Sequence, residues 1–200
     1  MFEDTYKTIA APSTGCYSEK RSKFIAYAFP VTTEAQVKEH LSDIQKKHND
    51  ARHHCYAYIL GPFKDAYRVN DNGEPSGTAG RPIHGQLQSK DLTNTLVVVV
   101  RYFGGIKLGV SGLQNAYKTA AREALEAATI IEKTIDEIYE VSFEYLHMNA
   151  VMQTLKDPYV TILEQKSDLS CNIRYSVRRR ESDRILQALQ KVGTVNAMSI

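Results

Sequence analysis

The chain of 200 residues has no tryptophan, only three cysteines and no long apolar run. The cysteines, at positions 16, 55 and 171, are too far apart in sequence for a zinc motif, and their odd number argues against a disulfide framework. The longest apolar run, residues 96–100, is far too short to cross a bilayer. The first residues lack the basic and apolar segments of a secretory signal. We therefore expect a cytoplasmic protein with reduced thiols.

Charge of either sign is also limited. Charged residues make up 24% of the chain, and the formal net charge is +2. This balance indicates no particular class of partner, so any basic surface must come from local arrangement. The apolar fraction of 42% is enough to bury a sizeable core.

Apolar periodicity in the first two thirds of the chain predicts strands and helices in alternation. We expect strands at 23–31, 54–60 and 95–100, and helices at 34–47 and 111–129. The third strand is continuously apolar, which is typical of a strand covered on both faces. Residues 64–85 are crowded with glycine, proline, asparagine, aspartate and serine, and we expect a long loop there.

Beyond Lys133 the pattern changes, and a second domain is expected. Strands are predicted at 137–145, 159–166, 169–177 and 194–199, and helices at 147–156 and 182–191, the last with Gly193 as its C-cap. The order β-α-β-β-α-β is the ferredoxin-like arrangement. The sequence therefore predicts an α+β fold with two domains, 1–133 and 134–200.

A glycine-rich segment, RYFGGIKLG at 101–109, joins the buried strand to the alanine-rich helix. Glycine lets a ligand approach the backbone, and free N–H groups at a helix start favour a phosphate. Tyr102 and Phe103 can stack on a base or lie beneath the loop. The spacing fits neither a Walker motif nor Gly-x-Gly-x-x-Gly, and a tight turn without a ligand also explains the glycines. The residues predicted to bind a ligand or nucleic acid here are Arg101, Tyr102, Gly104, Gly105, Lys107 and Gly109.

A second segment, DNGEPSGTAG at 71–80, is rich in polar and glycine residues. Its two carboxylates, Asp71 and Glu74, can bind a hard cation or act as acid and base. A structured turn held by local hydrogen bonds is the favoured interpretation of these residues. The length and composition of the segment still argue for a ligand or partner surface, which we expect to include Asp71, Glu74, Ser76, Gly77, Thr78 and Gly80.

Histidine and cysteine meet once, in Arg52-His53-His54-Cys55. Neighbouring residues of a strand point to opposite faces, so His53 and Cys55 supply two metal ligands at most. We therefore predict no metal site. Nothing in the sequence marks Cys55 as an activated nucleophile.

Two short basic runs are candidates for phosphate contacts. One contains Lys20, Arg21 and Lys23 before the first predicted strand, and the other is residues 178–180, all arginine. Such runs are usually solvated chain ends. If both lie on the face of the glycine-rich segment, they form a track for RNA phosphates.

Together these segments resemble the IMPACT/YigZ family, in its bacterial branch. The matching stretches are EKRSKF at 19–24, DNGEPSGTAG at 71–80 and VVVRYFGGIKLG at 98–109. The resemblance covers the first ~130 residues, and two long motifs in order are highly specific. One departure is Asn72, which stands where an acidic residue is frequent in the family and which weakens any metal proposal.

The resemblance implies a fold and a cellular setting. It implies an N-terminal β-α-β fold like a ribosomal protein domain and domain IV of elongation factor G, and a C-terminal domain like domain V of that factor. Eukaryotic relatives act in translational control, partly through an extra N-terminal domain that we do not expect in this chain, so that specific role is not expected to transfer. The resemblance implies neither a catalytic activity nor a cofactor.

Two hypotheses of function follow. The favoured one is a non-enzymatic regulator of translation or stress response that binds RNA, the ribosome or a translation-associated protein. The alternative is an enzyme acting on a nucleotide or phosphorylated metabolite in a cleft between the 71–80 and 101–109 segments, with Asp71 and Glu74 as its acid and base.

Overall fold

A computed structural model describes residues 4–167, 171–192 and 196–199 of the chain. The chain divides into two compact units. The first unit is Tyr6–Lys133, and the second joins Thr134–Ile200 to Met1–Thr5. No helix in the described part of the chain is long and apolar enough to span a membrane.

The first unit is built on an antiparallel sheet of five strands. Its helices and strands are β1 (Thr5–Ile9), β2 (Ser13–Glu19), β3 (Ser22–Pro30), α1 (Glu34–Lys47), β4 (His53–Leu60), β5 (Ala66–Asn70), α2 (Gly80–Ser89), β6 (Thr95–Tyr102), α3 (Gly109–Glu126) and β7 (Ile130–Thr134). The strand order in the sheet is β2-β3-β6-β4-β5, and every neighbouring pair is antiparallel. A separate two-stranded sheet pairs β1 with β7.

The central strand β6 is covered on both faces, which confirms the prediction from its continuous apolar run. Val97 and Val99 join the core formed with α2 and α3, whereas Val98 and Val100 join the core formed with α1. The alanines of α3 let that helix approach the sheet so closely that a Cβ added to Gly15 of β2 would lie 2.3 Å from the Ala124 nitrogen.

The predicted loop over 64–85 is wrong in part, because this stretch holds β5 and the start of α2. Local sequence gives little sign of α2, since its N-cap residue Ala79 has no side chain that can cap. Asp71 does the capping from outside the helix, accepting hydrogen bonds from the amides of Ala79 and Gly80 at 3.0 and 2.8 Å. Strands β1, β2 and β7 were also not predicted.

The second unit contains β8 (Asp136–Phe143), α4 (Met148–Leu155), β9 (Val160–Ser167), β10 (Cys171–Arg178), α5 (Ser182–Gln190) and β11 (Asn196–Ser199). Its antiparallel sheet has the order β11-β8-β10-β9. The alternation predicted for β10 is confirmed, since Cys171, Ile173, Tyr175 and Val177 are buried and the residues between them are half-buried. The predicted C-cap, Gly193, lies outside the described residues.

Candidate functional site

The 71–80 and 101–109 segments line a common cleft of about 430 Å³, called here the apolar cleft. Glu74 and Pro75 come from the first segment, and Arg101, Phe103 and Lys107 come from the second. The start of α3 adds two apolar residues, Val110 and Leu113. The structure thus brings together the two segments that the sequence singles out separately.

A second cleft of about 470 Å³, called here the polar cleft, adjoins the first. Both clefts are lined by Arg52, His53, Arg101 and Phe103. Beyond these shared residues the polar cleft continues to Asp50, Ala51 and Tyr102. Asp50 and Ala51 lie in the turn between α1 and β4, where the sequence gives no sign of a site, whereas Tyr102 ends β6 and belongs to the predicted glycine-rich segment.

Arg101 is the central charged residue of both clefts. It lies at the end of β6, is 6% exposed, and donates a hydrogen bond from Nη1 to Glu74 Oε1 at 2.6 Å. Its guanidinium lies 5.5 Å from the ring centre of Phe24 and 5.4 Å from that of Phe103. Nε is buried and has no hydrogen-bond partner among the described residues. A buried donor left unpaired costs about 1–3 kcal/mol of stability.

Glu74 is the ion-pair partner that positions the Arg101 guanidinium. Its side chain is 4% exposed, and Oε1 accepts a second hydrogen bond from the Tyr117 hydroxyl at 2.8 Å. A buried carboxylate needs such partners, because an uncompensated charge in the interior is strongly destabilising. Glu74 is therefore placed to fix the Arg101 guanidinium.

Cys55 closes the same buried network. Its Sγ lies 3.3 Å from the Tyr117 hydroxyl oxygen and 2.9 Å from the carbonyl oxygen of Asp71. Burial raises the pKa of the Cys55 thiol to about 12. The thiol is therefore protonated near neutral pH, and Cys55 does not have the properties of a nucleophile.

Asp71 organises the 71–80 segment. Besides capping α2, its Oδ2 accepts a hydrogen bond from the Gly77 amide at 2.9 Å. Burial raises the pKa of Asp71, but the backbone amides of Gly77, Gly80 and Ala79 outweigh it and hold the pKa below its ordinary value. Thr78 and Gly80 are buried within the turn, whereas Ser76 is exposed. The structured-turn interpretation thus accounts for Asp71 well.

The histidines of β4 anchor the same segment. His53 Nδ1 is 2.9 Å from the Asn72 carbonyl oxygen, and the His54 amide donates to Asn72 Oδ1 at 2.7 Å. Across the described ranges, no three His, Cys, Asp or Glu side chains gather closely enough to hold a metal ion.

The glycine-rich segment contacts the turn between β2 and β3. The Gly104 amide donates to Ser22 Oγ at 3.1 Å, and a Cβ at Gly104 would lie 2.1 Å from the Arg21 carbonyl carbon. Lys20 and Arg21 form that turn, with left-handed φ angles of 46° and 65°. They and Lys23 are exposed, but none of the three lines either cleft.

The basic run at 178–180 is engaged in ion pairs within the second unit. Arg178 pairs with Asp4 at 2.6 Å, Arg179 with Glu137 at 3.4 Å and Arg180 with Glu181 at 3.4 Å. By contrast, five basic residues have no ion-pair partner in the described residues, namely Lys20, Arg21, Lys23, Arg52 and Lys107. Of these five, Lys20, Arg21, Lys23 and Lys107 belong to the predicted binding set, Arg52 does not, and all five lie in the first unit.

The start of α3 adds a further positive feature to the apolar cleft. This helix of 18 residues begins at Gly109 with no side-chain cap and no acidic residue in its first turn. Its first N–H groups thus lack side-chain acceptors, and the helix dipole favours an anion near them. Gly109, with φ of +75°, lines the cleft at this point.

Sequence reasoning missed Asp50 and the binding capacity of Arg52. No local signal exists for Asp50, because its hydroxyl partner Tyr102 is 52 residues away in sequence.

The fold and clefts define a two-unit α+β protein whose first unit carries two adjoining clefts lined by basic and apolar residues. Residues 20–125 match the family described as the Impact N-terminal domain, and the chain belongs to this family. IMPACT family member YvyE of Bacillus subtilis (strain 168) is 37% identical over 145 residues, which cover 72% of this chain and 67% of that relative. IMPACT family member YigZ of Escherichia coli (strain K12) is 36% identical over 144 residues, 71% of each chain.

A solved structure supports the whole architecture. It is described as the crystal structure of an hypothetical protein, is 28% identical, and superposes with a TM-score of 0.79. The match covers 100% of this chain and 98% of the other. The family match and the two relatives confirm the family resemblance stated from the three sequence motifs.

Proposed function

We propose that this chain is a non-enzymatic, translation-associated regulator that binds RNA, on or off the ribosome, at the apolar and polar clefts. The observation that carries the proposal is the guanidinium of Arg101, a residue that lines both clefts together with Arg52. Guanidinium N–H groups favour phosphate oxygens, and charge-assisted bonds of this kind are strong.

The surroundings of Arg101 favour a phosphate over an uncharged apolar ligand. Lys107 and the uncapped start of α3 lie on one side, and Arg52 lies at the junction of the clefts. Phe103 is 54% exposed and provides a face on which a base can stack. Two adjoining clefts suit a polymer better than a single small anion.

The proposal extends to the folds that the family resemblance implies. We place the first unit with domain IV of elongation factor G and the second with domain V of that factor. The second unit's β-α-β-β-α-β order and its sheet order β11-β8-β10-β9 support a ferredoxin-like arrangement. Such a pair of domains suits a protein that works on the translation machinery.

An enzyme acting on a nucleotide or phosphorylated metabolite is the second candidate. The observation that favours it is the burial of the Glu74 carboxylate at the wall of the apolar cleft. Thermal shift with a panel of nucleotides, with and without magnesium, tests it. A nucleotide-specific shift together with turnover of that nucleotide, both lost in Glu74→Gln, would favour the enzyme over the regulator.

The RNA proposal is tested by fluorescence anisotropy with labelled single-stranded RNA at about 50 and about 200 mM salt. We expect Lys107→Gln to weaken binding by about three- to tenfold and to reduce the slope of log K against log salt by about one. Lys118→Gln, a matched change on an exposed position of α3 outside both clefts, is expected to leave binding unchanged. Absence of binding at the lower salt concentration would rule out the proposal.

A further inference from the structure

We infer that the polar cleft selects RNA bases with an exocyclic amino group over uracil, through the carboxylate of Asp50. This inference rests on the proposed function and specifies the ligand as single-stranded RNA with amino-bearing bases. Phosphate binding leaves one feature unexplained, which is the carboxylate of Asp50 in a cleft that is also lined by two arginines, Arg52 and Arg101.

A chain of hydrogen bonds fixes that carboxylate. The Tyr102 hydroxyl donates to Asp50 Oδ1 at 2.9 Å and lies 2.8 Å from His48 Nδ1. Because the single hydroxyl proton goes to Asp50, Nδ1 of His48 must donate to the Tyr102 oxygen. His48 Nε2 then accepts from the Tyr27 hydroxyl at 2.7 Å. The chain thus runs from the buried α1 face of the sheet to the polar cleft with one direction of donation.

Asp50 keeps acceptor capacity for a ligand. An ionised carboxylate has about four lone-pair sites, and the bond from Tyr102 uses one of them. The residue is exposed, so a base in the cleft can reach it. A carboxylate repels phosphates, so its place beside the arginines is explained better by contact with a donor on the base.

Phe103 places a base next to this carboxylate. Its ring lines both clefts and is 54% exposed, and the Arg101 guanidinium lies 5.4 Å from its centre. A strand with one phosphate on Arg101 can stack a base on Phe103 and present the neighbouring base to Asp50. Single-stranded RNA is required, because paired bases have their Watson–Crick edges occupied.

The chemistry of the base edges gives the selectivity. Cytosine, adenine and guanine each carry an exocyclic amino donor, and carboxylates accept from the cytosine N4 amino group. Uracil has carbonyl oxygens on both sides of its only ring N–H, and these repel a carboxylate. The polar cleft should therefore disfavour uracil.

The test compares labelled oligocytidine and oligouridine of about ten nucleotides, which differ little in size, by fluorescence anisotropy at low salt. We expect the full chain to bind oligocytidine about three- to tenfold more tightly, the range for the net gain of one typical hydrogen bond. Asp50→Asn is expected to bring the ratio of the two affinities close to one. Asp43→Asn removes the same charge from an exposed position of α1 and should keep the ratio.

A second variant checks the stacking step. Phe103→Ala is expected to weaken binding of both oligonucleotides by about tenfold. Tyr67→Ala, which truncates an exposed aromatic residue outside both clefts, should change neither affinity.

The outcomes separate this inference from the proposed function. Equal affinity of the unmodified chain for the two oligonucleotides, or a cytidine preference that survives Asp50→Asn, overturns base selection while RNA binding stands. Failure to bind either oligonucleotide at low salt overturns the proposed function itself.

Discussion

His48 shows at the scale of one residue how the interior supports the polar cleft. Burial lowers the pKa of His48 from its ordinary value of 6.5, with the charge of Lys47 acting in the same direction. The neutral ring fits the hydrogen-bond chain described above, because Nε2 must accept from Tyr27 while Nδ1 donates to Tyr102.

The sign of this pKa shift predicts a loss of stability in acid. Between the lowered pKa of His48 and its ordinary value of 6.5, the unfolded chain binds more protons than the folded chain. The contribution of His48 to the free energy of unfolding is therefore fully present above pH 6.5 and decreases as the pH falls below that value. We expect the urea midpoint to fall between about pH 7 and about pH 5, and His48→Gln to reduce that fall. Circular dichroism can follow the transition.

His84 contributes in the same direction, because burial lowers its pKa as well. The fall should therefore be reduced rather than abolished in His48→Gln. A pH dependence identical in the variant and the unmodified chain would contradict the role assigned to His48.

Single residues of the site differ in how well the sequence predicts them. Arg101 and Lys107 lie in a motif whose glycines and basic residues predict a binding segment, and both residues line the apolar cleft. Glu74 and Asp71 share one polar segment, but their roles differ in the folded chain. Glu74 pairs with Arg101, whereas Asp71 caps α2. Those roles depend on partners far away in sequence, which periodicity and composition do not encode.

Contacts between elements impose tight limits on the glycine-rich segment. The segment meets the β2–β3 turn at Gly104, where an added Cβ would lie 2.1 to 2.4 Å from backbone atoms of Arg21 and Ser22. Backbone cannot move aside as a flexible side chain can, so one of the two segments must shift. The shift would also displace Phe103 and Lys107 from their places in the apolar cleft.

We therefore expect Gly104→Ala to destabilise the protein by about 1–3 kcal/mol, as overpacking does, and to weaken RNA binding. Gly85→Ala in α2 is the control, because nothing lies within 4 Å of the added Cβ. That change should be neutral or stabilising by up to about 1 kcal/mol, since alanine is the better helix former. Urea unfolding of both variants measures the difference, and equal stabilities would contradict the close contact.

The elements that the sequence predicts are those whose burial pattern is local. Strands β6 and β10 show their environments directly, one as a continuous apolar run and the other as strict alternation. The edge strand β2 has no fully buried position, so it lacks that pattern. Helix α2 carries glycine and proline and receives its cap from Asp71, so helix signals near its start are missing.

The two units differ in whether their basic residues are ion-paired or line a cleft. All the residues that line the two clefts fall between positions 50 and 113, inside the first unit. The second unit neutralises its arginine run, in part with Asp4, which belongs to that unit although it precedes the first one in sequence. Asp4 and its partner Arg178 are 174 residues apart, so local sequence patterns do not show their pairing. From sequence alone, the first residues are therefore expected in the first domain.

This distribution predicts that the first unit carries RNA binding by itself. A polypeptide of residues 6–133 is expected to fold, because it contains its own core on both faces of the five-stranded sheet. Its affinity for oligocytidine should stay within about threefold of the full chain, with the same salt slope, since counterion release follows the number of phosphate contacts. Anisotropy titrations of both polypeptides at two salt concentrations measure this. A large loss of affinity with a smaller slope would instead show that the second unit supplies phosphate contacts, despite the ion pairs of its arginines.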